Sequence, residues 1–257
     1  MKSLQGKTIL VTGAAGGLGQ EYARQLLARG AHLILTDLDE RLLQPIADQL
    51  KGSHGKILDI IGADISNEKG CGQLYGKTKK KAPNLDMLIN NAWLINYGYF
   101  WEIPPDKWET LMKVNLFAPM WLSRLFVPDM TARGDGHLVF MSSVAGFAAT
   151  ALGTPYTASK FGLRGFAMAL SGELKNKGVR TTIVYPFGVS TKLLNSSEFG
   201  FAELKPLPSI FAEDPVKVIR AAIKGIRKNR LHVYPGLFAK IVWQAAKVRP
   251  IVSKQTH

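Results

Sequence analysis

The chain has 257 residues, 46% of them hydrophobic and 20% charged, a balance that excludes a disordered polymer and suits one α/β domain. A single cysteine, Cys71, excludes an internal disulfide framework and points to a reducing compartment. The formal net charge is +14, and from Lys205 onward eleven Lys and Arg face only Glu213 and Asp214, so the basic excess gathers toward the C-terminus, as a solvated face or as a surface for an anionic partner.

Met1–Lys7 is short and polar, with no secretory core before the first apolar run, and no uncharged apolar run reaches the ~18 residues of a spanning helix. A cytoplasmic protein is expected, and the sequon at Asn195 is then without consequence. In chain order the pattern predicts a strand over Lys7–Val11, a helix over Leu18–Arg29 closed by Gly30, a strand over Leu33–Thr36, a helix over Leu42–Leu50 and a strand over Lys56–Ala63. Further buried strands are predicted at Met87–Asn90, His137–Met141 and Arg180–Tyr185, with long helices around Trp108–Asp129 and Tyr156–Lys175 between them. After Pro215 come a helix over Val216–Lys228, a last strand at Leu231–Tyr234 and a helix over Leu237–Val248. Strict alternation of strand and helix implies βαβ crossovers and a doubly wound parallel sheet, with ligands beyond the carboxyl ends of the strands.

The motifs fall just after those strands. The first strand runs into Thr12-Gly13-Ala14-Ala15-Gly16-Gly17-Leu18-Gly19 and a helix follows at once. Glycines there let backbone approach a pyrophosphate, and the helix N-terminus offers it free N–H groups. Asp37 closes the second strand, where a carboxylate can accept from both hydroxyls of an adenosine ribose and would repel a 2′-phosphate. With Ala14, Ala15 and Leu38 in place of any basic side chain, NAD is expected rather than NADP. Thr154 is the expected N-cap and Pro155 the first residue of the helix that carries Tyr156 and Lys160. Spaced i, i+4, these two share a helix face, so the cation can lower the phenol's pKa for proton transfer. Ser143 ends its own strand thirteen residues earlier and can hydrogen-bond the reacting oxygen. Asn115, in a helix interior where Asn has mediocre propensity, hints at another purpose.

Taken together, Thr12 to Gly19, Asn90-Asn91-Ala92, Asn115, Ser143 and Tyr156…Lys160 resemble, in order and spacing, the short-chain dehydrogenase/reductase family, over about residues 5 to 195. The glycine spacing fits either Gly13, Gly17, Gly19 of the short family form or Gly13, Gly16, Gly19 of the longer epimerase-like relatives; length and later motifs favour the first. The resemblance implies a single Rossmann-type domain over 1–257 and hydride exchange between NAD and an alcohol or carbonyl. It makes Tyr156 the general acid/base and gives Lys160 the task of lowering the tyrosine pKa and binding the nicotinamide ribose. Ser143 would stabilise the substrate oxygen, and Asn115 would hold, by its helix geometry, a water linking Lys160 to solvent. Gly13, Gly16, Gly17, Leu18, Gly19, Asp37, Asn91, Ala92, Pro186, Gly188, Val189 and Thr191 would surround the cofactor. Asp64, with Ile65 beside it, resembles the residue placed near the adenine amino group, a helix N-cap being its other reading. Two departures stand out: Trp93 follows Asn-Asn-Ala where the family has glycine, narrowing the cleft near the adenosine ribose or lining its wall, and Phe187 follows Pro186, shaping the nicotinamide or substrate pocket.

A substrate lid is expected at 192–212, rich in Leu and Phe, facing a wall of Trp93, Leu94, Tyr97, Tyr99 and Phe100. That pocket suggests a steroid, retinoid-like or long-chain substrate, or else plain core packing. A 3-ketoacyl-type reductase on a carrier-bound substrate and a non-catalytic NAD-binding sensor are the alternatives. In the basic extension 235–257, the helix over 237–248 sets Lys240, Gln244 and Lys247 against Leu237, Phe238, Ile241, Val242, Ala245 and Val248, with Trp243 at the border. It either lies on a membrane surface as a peripheral contact or packs over the lid or a second subunit. A homodimer or homotetramer is implied by the family. No nucleic-acid-binding motif occurs, and the five histidines lack ligand spacing, so neither nucleic acid nor a metal is expected.

Overall fold

A computed structural model describes residues 3–189, 198–199, 213–248 and 252–253. The chain forms β1 (Thr8–Thr12), α1 (Gly17–Leu27), β2 (His32–Asp37), α2 (Gln44–Gln49), β3 (Lys56–Gly62), α3 (Glu68–Lys81), β4 (Met87–Asn90) and β5 (Tyr97–Gly98). Then come α4 (Pro105–Met112), a π turn (Lys113–Phe117), α5 (Ala118–Arg133), β6 (Gly136–Met141), β7 (Ala149–Thr150), α6 (Thr154–Glu173) and β8 (Val179–Val184). The last elements are β9 (Glu198–Phe199), α7 (Pro215–Arg227), β10 (His232–Val233), α8 (Leu237–Val248) and β11 (Val252–Ser253).

Seven strands make one sheet in the order β10-β8-β6-β4-β1-β2-β3, every neighbouring pair parallel. Helices cover both faces, so the central strands read as continuous apolar runs: all six residues of β6 are buried. Side-chain alternation in β1 divides the core. Ile9 and Val11 join Leu26 of α1 and Ile219 and Ile223 of α7, while Leu10 joins Leu74 of α3, Phe126 of α5 and Leu163 of α6 on the other face. The chain runs outward from β1 to β3, then returns to β4 on β1's other side. That reversal opens a crevice beyond the carboxyl ends of β1 and β4.

Several expectations are corrected. The single helix around Trp108–Asp129 is α4 and α5 joined by the π turn, with buried Asn115 inside that turn; such turns gather at functional positions. Thr154 is not the cap of α6: Gly153 is, Thr154 is the first helical residue and Pro155 the second. Helix α3 was not foreseen, because its buried face consists only of Gly70, Cys71, Leu74 and Thr78. In α8 the buried side is Ala239, with Val242, Trp243 and Ala246 packed on the core, leaving Leu237, Phe238 and Ile241 of the expected apolar stripe exposed.

Candidate active site

The crevice holds a cavity of about 510 Å³, lined by Gly13, Gly16, Gly17, Leu18, Gly19, Asp37, Asp64, Ile65, Asn91, Ala92 and Trp93 among others. Gly13 has φ 63°, and a Cβ there would fall 2.7 Å from the Cα of Ala92. At Gly19 a Cβ would collide with the Gly13 carbonyl oxygen. Glycine is therefore required for the turn to fold back on its own helix and lie against the end of β4. Helix α1 starts from Gly16 with no side-chain cap, so its first N–H groups and positive dipole end are left for an anion. These observations fit the pyrophosphate of a dinucleotide.

Asp37, at the end of β2, accepts from the Ala15 N–H at 2.9 Å and the Leu38 N–H at 2.8 Å. Each carboxylate oxygen keeps a further lone pair for a ribose hydroxyl. Asp64 also lines the cavity, and its carboxylate ties down the Ser66 N–H and the Asn67 amide. The cap of α3 is Asn67, not Asp64. The Asn91 side chain spends its amide on the carbonyls of Thr12 and Gly13, at 2.9 and 3.1 Å, and its buried Oδ1 is left without a partner. Thr12 proves to be a clasp that sequence reasoning missed: its hydroxyl accepts from the N–H of both Asn91 and Ala92 at 3.0 Å.

The second cluster sits on β6, α6 and the π turn. Ser143 follows β6, where its hydroxyl accepts from the Ala145 N–H at 3.1 Å and donates to the Pro186 carbonyl at 3.4 Å, close to Tyr156 at the first turn of α6. Burial pushes the Tyr156 phenol up and the Ser143 hydroxyl acts against it. Lys160, one turn on, is 1% exposed and donates to the Met141 carbonyl at 2.9 Å. Its ammonium lies 5.4 Å from the Tyr156 ring centroid, and burial pushes it down to about 7. Asn115 accepts from the Leu94 N–H at 2.7 Å and donates to the Leu94 carbonyl at 2.8 Å and to Ser159 Oγ at 3.1 Å. Its side chain therefore joins the segment after β4 to α6, a duty the sequence did not reveal.

Trp93, expected to narrow the cleft or line its wall, lies against Tyr156 and Lys160: its ring is 6.1 Å from that of Tyr156 and 6.0 Å from Lys160 Nζ. Phe187 turns its ring toward Phe238 of α8, 6.0 Å away. The loop that contains Pro186, Gly188 and Val189 is stapled by Glu213, a residue with no sequence signal. The Phe187 N–H donates to Glu213 Oε2 at 3.1 Å and the Glu213 N–H donates to the Gly188 carbonyl at 2.8 Å. Thr191 and most of the 192–212 lid lie outside the described residues.

The chain is similar to known proteins in sequence and in fold. The family model described as short chain dehydrogenase matches residues 7–199. Epidermal retinol dehydrogenase 2 of Homo sapiens is 29% identical over 236 residues, 91% of this chain and 75% of the relative. The 17-beta-hydroxysteroid dehydrogenase 13 of Mus musculus is 26% identical and covers 100% of this chain and 82% of its own length. Among solved structures, a short-chain dehydrogenase from Sphingobium yanoikuyae in complex with NADPH superposes with a TM-score of 0.82 at 25% identity, covering 94% of this chain and 92% of that one. A short chain dehydrogenase/reductase from Burkholderia phymatum in complex with NAD reaches a TM-score of 0.83 over the full length of both, a likeness of fold at 22% identity. The family match spans well over half of the sequence, and this chain belongs to the short-chain dehydrogenase/reductase family of nicotinamide-dependent oxidoreductases.

Proposed function

We propose that the protein is an NAD-dependent dehydrogenase that interconverts an alcohol and its carbonyl on a lipophilic substrate. The observation that carries this reading is the convergence of Ser143 and Lys160 on Tyr156. The glycine turn and the N-terminus of α1 would hold the pyrophosphate, Asp37 the adenosine ribose, and Asp64 with Ile65 the adenine edge. Lys160 would hold the nicotinamide ribose, beside the Pro186–Val189 loop and Thr191. The bound cofactor supplies a hydride acceptor in one direction and a donor in the other.

Everything else falls to the chain. In oxidation Tyr156 Oη takes the proton of the carbinol hydroxyl, and in reduction it returns a proton to the carbonyl oxygen. Ser143 Oγ holds that oxygen and stabilises the charge it gathers. The Lys160 ammonium stabilises the phenolate and so makes it attainable near neutral pH. Asn115 fixes Leu94 and Ser159, and with them the wall around Tyr156.

Asp37 supports NAD, since a 2′-phosphate would meet its carboxylate. Retinol and hydroxysteroid dehydrogenases among the relatives support a lipophilic alcohol. We also propose that α8 rests on an anionic lipid surface: Leu237, Phe238 and Ile241 are 69%, 37% and 52% exposed around exposed Lys240, in the part of the chain where the positive charge gathers. Among the described residues no helix is long and apolar enough to cross a membrane.

The test pairs binding with turnover. NADH is expected to bind more tightly than NADPH by titration calorimetry, and a steroid, retinoid or long-chain alcohol to turn over with NAD. Tyr156→Phe should keep NADH affinity and lose turnover by 10²-fold or more, on the order of a general acid/base contribution. Preference for NADPH would overturn the Asp37 assignment and favour the carrier-bound reductase, and unchanged turnover in Tyr156→Phe would refute the catalytic one.

A further inference from the structure

Trp93 belongs to two places at once. Its side chain lines the nucleotide cavity, and its ring is tilted 57° against that of Tyr156 with 6.1 Å between centroids. The same ring lies 6.0 Å from Lys160 Nζ. Carbon atoms in contact sit about 3.5–4.0 Å apart, so a third ring placed between Trp93 and Tyr156 needs a separation of about 7 Å or more. A ligand that reaches Lys160 from the cavity therefore meets the indole.

The backbone on either side cannot give way easily. The Ala92 N–H is held by the Thr12 hydroxyl, and Leu94 is held through both its N–H and its carbonyl by Asn115. Motion is confined to the Trp93 side-chain torsions, and the ring, half-buried, has solvent to turn toward.

We propose that Trp93 is a gate on the cofactor path. It is closed over Tyr156 and Lys160 in this structure, and it is displaced when the nicotinamide half of a dinucleotide enters. The adenosine half, which stops at the glycine turn and Asp37, seats without moving it. The closed gate keeps solvent from the buried ammonium until the reacting half of the cofactor arrives. Opening it breaks a ring–ring and a cation–ring contact, a cost borne only by ligands that extend past the pyrophosphate. The inference rests on the placement of the nicotinamide beside Lys160 proposed above.

ADP and NADH separate the two halves. Calorimetry on the wild-type protein, Trp93→Gly and Trp93→Ala is expected to give ADP affinities within about two-fold of one another, and NADH affinity about ten-fold tighter in both variants, the order of one lost aromatic and one lost cation–π contact. Stopped-flow NADH binding should show a slow, concentration-independent phase in the wild type that the variants lack. Wild-type protein that binds ADP but takes NADH only in the variants would be the gate in its tightest form. Equal or weaker NADH binding in both variants, with ADP unaffected, would make the ring a fixed wall and overturn the proposal. Wild-type protein that fails to bind ADP would instead sink the reading of the cavity, and the gate with it.

Discussion

Lys160 answers to two opposed demands. Its burial among Met141, Ser142 and Tyr156 pushes the ammonium down to about 7, yet the phenolate proposed for Tyr156 needs it charged. The ring of Tyr156, itself pushed up by burial, cannot ionise near neutral pH without that cation, so the pair acts as a unit. Lys160→Met, of similar length and no charge, is expected to lower kcat/KM at pH 7 by about 10²–10⁴-fold, the range of a general acid/base effect. Its residual rate should climb with pH far beyond the wild-type plateau, because the phenol then ionises unaided. Superimposable pH–rate profiles would mean that Lys160 does not act on Tyr156. At this scale the sequence was informative where candidate residues sit on a spacing: Tyr156 and Lys160 lie side by side on α6 with Ser143 close to the Tyr156 phenol. It was silent on Thr12, Met141 and Glu213, which act through a hydroxyl, a carbonyl or a buried carboxylate at positions that any spacing rule passes over.

Helices departed from expectation where packing overrode periodicity. In α8 the apolar stripe of Leu237, Phe238 and Ile241 loses the core to Trp243, which stacks on Tyr234 at 5.1 Å, meets Phe147 edge-on at 5.1 Å and carries the Arg164 guanidinium 5.2 Å over its ring. Small Ala239 and Ala246 on the same side let the helix approach closely. The large Trp243 ring buries more area there and adds ring-pair geometry, which helical periodicity alone does not weigh. The exposed stripe then becomes testable. Wild-type protein should float with vesicles that contain phosphatidylserine, and Leu237→Ser with Ile241→Ser should abolish flotation while oxidation of a water-soluble alcohol continues. If the wild type stays down yet sediments as an oligomer that the double variant splits, a second copy covers this face and the lipid reading falls. The π turn was likewise hidden, since Lys113–Phe117 is compatible with an unbroken α-helix. What distinguishes it is the bond from the Ala118 N–H to the Lys113 carbonyl five residues back.

For the molecule as a whole the parallel, doubly wound sheet was legible, because strands covered on both faces leave apolar runs of strand length between turn signals. Its acid sensitivity was not. His137 lies in β6, fully buried, with Nε2 2.8 Å from the Thr182 hydroxyl. That hydroxyl donates to the Arg230 carbonyl at 2.9 Å, so it accepts from His137 Nε2–H, and the buried Nδ1 has no partner to hold a second proton. Burial pushes His137 down to about 3. An unfolded chain takes up the proton near pH ~6.5 and the folded one refuses it, so the contribution is fully present above that pH and is lost as pH falls toward 3, at up to about 1.4 kcal/mol per pH unit. Thermal midpoints should drop between pH 7 and 5, and His137→Gln should flatten that limb. Parallel limbs in the two proteins would assign the acid loss to other groups.

The topology also sets an order in time. The clasp between Thr12 and Asn91 joins residues 79 apart in the chain, and a parallel pair forms only after its long crossover has closed. During synthesis the glycine turn therefore emerges well before the strand that completes its far wall. Through that interval β1 has β2 on one side and nothing of its own on the other, so a nascent chain is unable to shelter in its cofactor. The protection that a bound ligand gives a folded protein cannot begin before β4 has docked, so the glycine turn waits without its far wall while the chain between Thr12 and Asn91 is made.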